Sequence, residues 1–253
     1  MHPQTVQHLL ELNRRFYRDF GRAFAATRRR VQPGVQRAAD GLPPAGNWLD
    51  LGCGSGELAR MLARRGFHGR YLGLDSSTEL LAEAQKDPPH SPVFNAEYRQ
   101  ADLTAPDWAA GLAPQAWQVV SCFAVLHHLP GVELRAGLLR AALRLLAYGG
   151  RLVHSVWQFQ HSPKWTARIQ PWERVGLSAA QVDEGDTLLD WRYALPGQAE
   201  QVGLRYVHLF NRSELAGLAE SCGFTIIEEY ESDGEGGRLG LYQVWEGKQT
   251  GEG

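Results

Sequence analysis

Trp48-Leu49-Asp50-Leu51-Gly52-Cys53-Gly54-Ser55-Gly56-Glu57 is an apolar run with one acid inside it that opens onto glycines at alternate positions. It reads as a buried strand feeding a nucleotide-binding turn. Glycine takes positive φ at no steric cost, lets the backbone pass close to a ligand, and leaves N–H groups open at the start of the next helix. Spacing decides which nucleotide. A dinucleotide fingerprint has glycines first, third and sixth, and the sixth position counted from Gly52 is Glu57, an acid that would repel a pyrophosphate. No Gly-Lys-Ser/Thr follows the turn, so a Walker loop is absent as well. What remains is a ligand without phosphate and with cationic character, held by acids at strand ends. Tyr71-Leu72-Gly73-Leu74-Asp75 supplies the next strand, with Asp75 about 20 residues on, where ribose-binding acids sit. A third unit, Tyr98-Arg99-Gln100-Ala101-Asp102-Leu103, also ends in an acid.

Three strand-terminal acids behind a Gly-x-Gly-x-Gly turn make residues 45 to 157 resemble the class I S-adenosylmethionine (SAM) methyltransferases. The resemblance implies an α/β fold: a Rossmann-like seven-stranded methyltransferase sheet, mostly parallel with an antiparallel final strand, an N-terminal cap helix, and an insertion after the fifth strand. It implies that the loop through Gly52, Gly54 and Gly56 passes under the methionine part of SAM, while Asp50 organises that loop or receives the amino group. Asp75 with Ser76 would take the ribose hydroxyls, and Asp102 with Leu103 would flank the adenine. Residues 1–44 would form the helical cap and residues 45–253 the methyltransferase domain, with an aromatic-rich insertion at about 158–204.

Periodicity along the rest of the chain agrees with an α/β sheet. Leu9, Leu12, Phe16, Phe20 and Phe24 recur at helical spacing between Val6 and Thr27, which predicts a cap or lid helix. Pro33 and Pro43-Pro44 then break the chain. Strands at 47–51, 70–75, 96–101, 117–123 and 150–157 alternate with helices at 56–66, 77–86 and 132–147, a pattern of parallel strands and crossover helices. Gly149-Gly150 is expected to stop the last of these helices. From Gln158 the alternation ceases, while Trp165, Trp172, Trp191 and Tyr193 stand among polar residues. Ser213 is expected to cap a further helix that Gly223 closes, before an antiparallel hairpin at 224–231 and 239–246 and a disordered tail from Gly247.

The composition is that of a soluble enzyme. At 253 residues and 43% hydrophobic content the chain fills one large domain plus an insertion, and it has neither a membrane-spanning run nor a signal-peptide core, so the expected compartment is the cytoplasm. Cys53, Cys122 and Cys222 form no CxxC pair, so neither a disulfide nor a metal site is expected. The net charge of −2 is unevenly spread: residues 14 to 37 hold eight arginines against one acid, and Glu228, Glu229, Glu231, Asp233 and Glu235 cluster near the other end. The arginine-rich end reads either as an anion-holding surface or as a solvated helix face.

Three further segments look like the tRNA methyltransferases that esterify 5-carboxymethyluridine at the wobble position. They are Tyr17, Phe24, Thr27 and Arg28 in that family's spacing, then Ala124 to Leu129 with Ser155-Val156-Trp157, then Arg205-Tyr206-Val207-His208-Leu209-Phe210. Trp117-Gln118, Ala147-Tyr148 and Gly21 depart from the family pattern without removing a SAM contact. The resemblance implies tRNA and a small zinc-binding activator protein as partners. By it, Arg28 or Arg205 would orient the acceptor carboxylate, although Arg28 could equally bind the methionine carboxylate of SAM. His127, Trp157, Tyr206 and His208 would line the acceptor pocket together with Tyr17. A carboxylate acceptor, ionised at neutral pH, would need no general base, whereas a phenol or amine would call on His127 or His208. The alternatives are a small-molecule O- or N-methyltransferase with the aromatic insertion as a lid, and an inactive SAM-binding module, which the complete glycine loop disfavours.

Overall fold

The structure is a computed structural model that describes residues 1–26, 30–89, 91–194 and 199–248, apart from the Phe24 side chain. Strand β1 (Ala45–Leu51) lies inside the sheet, parallel to β2 (His68–Asp75) on one side and β4 (Trp117–Phe123) on the other. Because successive side chains of a strand face opposite ways, Trp48 packs into one core while Leu49 and Leu51 pack into another. With β3 (Phe94–Gln100), β5 (Leu146–Trp157), β9 (Phe224–Ser232) and β10 (Gly240–Gly247) the sheet has the order β3-β2-β1-β4-β5-β10-β9. Strand β10 runs antiparallel to both β5 and β9, as the sequence led us to expect.

Helices cover both faces. One core joins β1, β4, β5 and β10 to α5 (Val132–Leu145) and α7 (Arg212–Ser221), through Leu138, Leu139, Leu215 and Leu218. The other lies under α2 (Pro33–Asp40) and α3 (Glu57–Arg64), through Val35, Leu58, Met61 and Leu62. Helix α4 (Thr78–Lys86) is capped by Ser77, whose hydroxyl accepts the Leu80 N–H. Two expected helix signals act elsewhere. Asn211, not Ser213, caps α7 by accepting the Glu214 N–H. Gly149-Gly150 lies inside β5 rather than ending α5, which stops at Leu145. A Cβ on Gly150 would come within 3.0 Å of the Trp117 carbonyl, so this glycine lets β5 close on β4.

Two additions stand over the sheet. Helix α1 (Pro3–Ala26) packs Leu9 and Phe16 inward and rests on α4 and on β8 (Gln201–His208). Pro33, read as a breaker, instead occupies the first turn of α2, where its missing N–H costs nothing. The insertion is an ordered unit of short turns, the single-turn α6 (Pro163–Thr166) and a three-stranded antiparallel sheet of β6 (Ile169–Gln170), β7 (Asp186–Tyr193) and β8. Strand β8 thus runs past the expected limit near residue 204. Gly203 makes the seat for α1, since a Cβ there would come within 2.8 Å of the Phe16 and Phe20 rings. No helix among the described residues is long and apolar enough to cross a membrane.

Candidate active site

The turn after β1 is built by positive φ at Gly52 (78°), Gly54 (55°) and Gly56 (80°). A side chain at Gly52 would come within 2.3 Å of Val125, and one at Gly56 within 2.7 Å of the Tyr98 hydroxyl. The Gly52 and Cys53 N–H groups donate to the Leu74 carbonyl, which fastens the turn to the end of β2. Asp75 fastens it again: Oδ2 accepts the Gly54 N–H and Oδ1 the Ser77 N–H, both at 2.9 Å. Asp75 therefore organises the loop, one of the two roles the sequence reading offered to Asp50, the other being receipt of the amino group. Burial raises the Asp75 pKa against these backbone hydrogen bonds.

Asp50 is buried and lines the same cleft. Its oxygens accept from the Tyr71 hydroxyl and the Ser121 hydroxyl, each at 2.6 Å, and Trp48 Nε1 donates in turn to Ser121. Burial pushes the Asp50 pKa up to about 6 in spite of these donors. Asp102 accepts from Arg14 of α1 at 2.8 Å and from the Thr104 N–H and hydroxyl. Burial works to raise its pKa, but Thr104 and Arg14 outweigh that and hold it below the ordinary carboxylate range. Asp50, Glu57, Asp75, Ser76, Asp102 and Leu103 all border a cleft that, together with the chamber above it, encloses about 770 Å³. A ring of carboxylates around open backbone turns suits a cationic, phosphate-free nucleoside such as SAM.

The cleft continues without a break into a chamber roofed by the insertion and α1. Trp157, Trp165, Trp191 and Tyr193 wall it, with Lys164, Arg168, Arg192 and Arg205 among them. Trp157 meets Trp165 edge to face at 4.8 Å, and Trp191 stacks on Tyr193 at 5.3 Å. The Arg205 guanidinium, 1% exposed, lies 4.9 Å from the Trp157 ring and 5.4 Å from Phe16. Asp190 is buried beneath the rim and accepts from both Arg168 and Arg192, fixing two cations at the chamber. His127 and Tyr17 also border the cleft.

Two expected pocket residues are not part of this lining. Tyr206 is fully buried, and its hydroxyl donates to Asp186 and accepts from Arg135. His208 sits in the same network, with Nδ1 2.7 Å from Asp186 and Nε2 2.8 Å from Glu214. Alternation on β8 explains both: Arg205 faces the chamber, so Tyr206 and His208 lie in a cluster that ties the insertion to α5 and α7. Arg28 lies outside the described residues. The sequence reading missed Asn13, whose amide pairs with both backbone groups of Tyr206, and Asp233, which accepts the Gly34 N–H and the Tyr242 hydroxyl at the cleft wall. A polar residue amid the apolar stripe of α1 was the only signal for Asn13, and the acid at 233 had none.

A methyltransferase-domain family model matches residues 23–229. A 2-phytyl-1,4-naphtoquinone methyltransferase of Thermosynechococcus vestitus is 36% identical over 134 residues, 52% of this chain and 54% of that protein. A ubiquinone biosynthesis O-methyltransferase of Sodalis glossinidius is 33% identical over 180 residues, 68% of each chain. The chain thus spans about half of the first of these relatives and two thirds of the second. Among solved structures, a SAM-dependent methyltransferase of Methanosarcina mazei superposes with a TM-score of 0.62 at 20% identity, over 86% of this chain and 98% of that one, a likeness of fold.

Proposed function

Because the chain belongs to the methyltransferase-domain family, we propose that it moves the methyl group of SAM to an oxygen of a small, planar acceptor. The observation that carries this reading is the continuity of the carboxylate-lined cleft with the aromatic and cationic chamber. Bound SAM supplies a methyl group made electrophilic by its sulfonium. The chain's own part is positioning and the exclusion of water. Asp75 and Ser76 hold the ribose, Asp102 and Leu103 the adenine, and the turn through Gly52 and Gly54 the methionine part. Trp157 and Trp165 offer the acceptor ring an aromatic wall, and Arg205 holds an anionic oxygen. Relatives named for quinone-type small molecules support this acceptor class. Labelled SAM offered with a panel of hydroxylated and carboxylated aromatic acids tests it: turnover of one or more is expected, and SAM binding without turnover of any would leave a binding module.

A second reading, methylation of a carboxylate on a modified tRNA uridine, is favoured by Arg15 and Arg18 on the outer face of α1, with side chains 72% and 60% exposed. In that case tRNA is held alone or with a small zinc-binding partner, and binding falls steeply with salt. Gel shifts of tRNA at several salt concentrations separate the readings. Absent or salt-independent binding removes the RNA one for the isolated chain.

A further inference from the structure

The paired histidines at the cleft are locked in opposite tautomers. The Trp157 N–H donates to His127 Nδ1 at 3.2 Å, and a backbone amide can only donate, so the neutral His127 ring carries its proton on Nε2. His128 is the reverse. Its Nδ1 lies 3.2 Å from the Tyr206 carbonyl, which can only accept, so Nδ1 holds the proton and Nε2 accepts from the Tyr17 hydroxyl at 3.1 Å. The lining carboxylates are also engaged: Asp50 with Tyr71 and Ser121, Asp75 with Gly54 and Ser77, Asp102 with Arg14 and Thr104, Asp233 with Gly34 and Tyr242, and Glu57 with the Arg60 guanidinium at 2.7 Å. The same cleft is lined by Tyr17, His128, Lys164, Arg168 and Arg205 as well as by His127.

We infer that the site takes only acceptors whose attacking oxygen is already ionised, and that His127 serves as a hydrogen-bond donor that positions this oxygen rather than as a general base. The inference rests on the methyl-transfer reading above. The acceptor oxygen uses a lone pair to form the new O–CH3 bond as the S–CH3 bond breaks and its pair returns to sulfur. The acceptor anion becomes a neutral ester or ether, and no proton has to leave. Arg205 and the His127 Nε2–H share the anion in the ground state. Neutral phenols and alcohols of the same shape find no group to take their proton.

Two measurements test this. Long-range 15N–1H correlation spectra of the free protein, assigned with His127→Gln, should show His127 protonated at Nε2 and His128 at Nδ1. A His127 protonated at Nδ1 overturns the inference whatever the assays give. Single-turnover rates with a carboxylate acceptor should be flat between pH 6.5 and 8.5 in the wild type and in His127→Gln, which keeps a donor. His127→Leu should lose about 10- to 100-fold, chiefly in KM. A wild-type rate rising through about 6.5 and flattened by His127→Gln, His128→Gln or Tyr17→Phe would make a histidine the base and overturn the inference while leaving methyl transfer intact. Turnover of no acceptor at all, with SAM bound, would instead remove the methyl-transfer reading, and the tautomer spectra would still decide the ring.

Discussion

Asp50 is the residue whose ionisation the fold opposes most visibly and whose ligand would reverse that. Its pKa of about 6 reflects burial, so in the empty cleft ionised Asp50 is a cost. A cationic cofactor beside it restores the charged form. SAM affinity should therefore fall as pH drops below about 6, by up to about tenfold per unit, with proton release on binding in that range. Calorimetry in two buffers of different ionisation enthalpy measures both, and Asp50→Asn should abolish the pH dependence. At this scale the glycine-turn half of the cleft was legible because its determinants are local: the glycines, Asp50 and Asp75 fall within 26 residues. The roles were harder to read than the places, since only the three-dimensional bonds show Asp75 fastening the loop. Asn13, Arg14 and Asp233 were invisible because their partners lie 193, 88 and 199 residues away.

Helix α1 and the insertion are elements whose attachment can be loosened separately. The Arg14–Asp102 ion pair joins α1 to the Asp102 end of the cleft, with side chains 37% and 40% exposed. A pair so exposed contributes little to stability, so Arg14→Ala should shift Tm by no more than about 3 °C. It should nevertheless speed SAM dissociation severalfold, which stopped-flow fluorescence can follow. The insertion is held by the Arg135, Asp186, His208, Glu214 cluster. Burial works against the charged His208, but Asp186 and Glu214 outweigh it and hold the pKa above the ordinary histidine value. The sign follows: this stabilisation is complete below the unfolded value of about 6.5 and is lost as pH rises through the higher folded value. Urea melts from pH 6 to 9 should show that decline, and His208→Gln should flatten it. Sequence periodicity found α1 and the break at Gln158, yet missed β7 and β8. Buried Asp190, Arg205 and His208 interrupt their apolar alternation, and a charged residue inside a strand reads as a loop.

At the scale of the whole molecule, Arg37 joins the two unevenly charged ends. Arg37 of α2 bonds Glu228 at 2.9 Å while lying 3.8 Å from the Tyr230 ring, and Arg212 and Arg238 hold Glu231. Glu228 and Glu231 of the acid-rich stretch are thus paired, which net charge alone could not reveal. The alternating pattern made the sheet legible, and its final antiparallel strand with it. The order of the sheet carries one more implication. Strand β10 lies between β5 and β9, so the last strand of the chain is an interior one. It brings Tyr242 and Asp233 against Gly34 near the opposite end. A chain truncated after residue 238 leaves the inner edge of β5 open and the cleft without that wall. It should fail to bind immobilised S-adenosylhomocysteine, in a pull-down where the full chain is retained. On the ribosome, then, a growing polypeptide should stay blind to its cofactor until β10 has cleared the exit tunnel and slotted between β5 and β9.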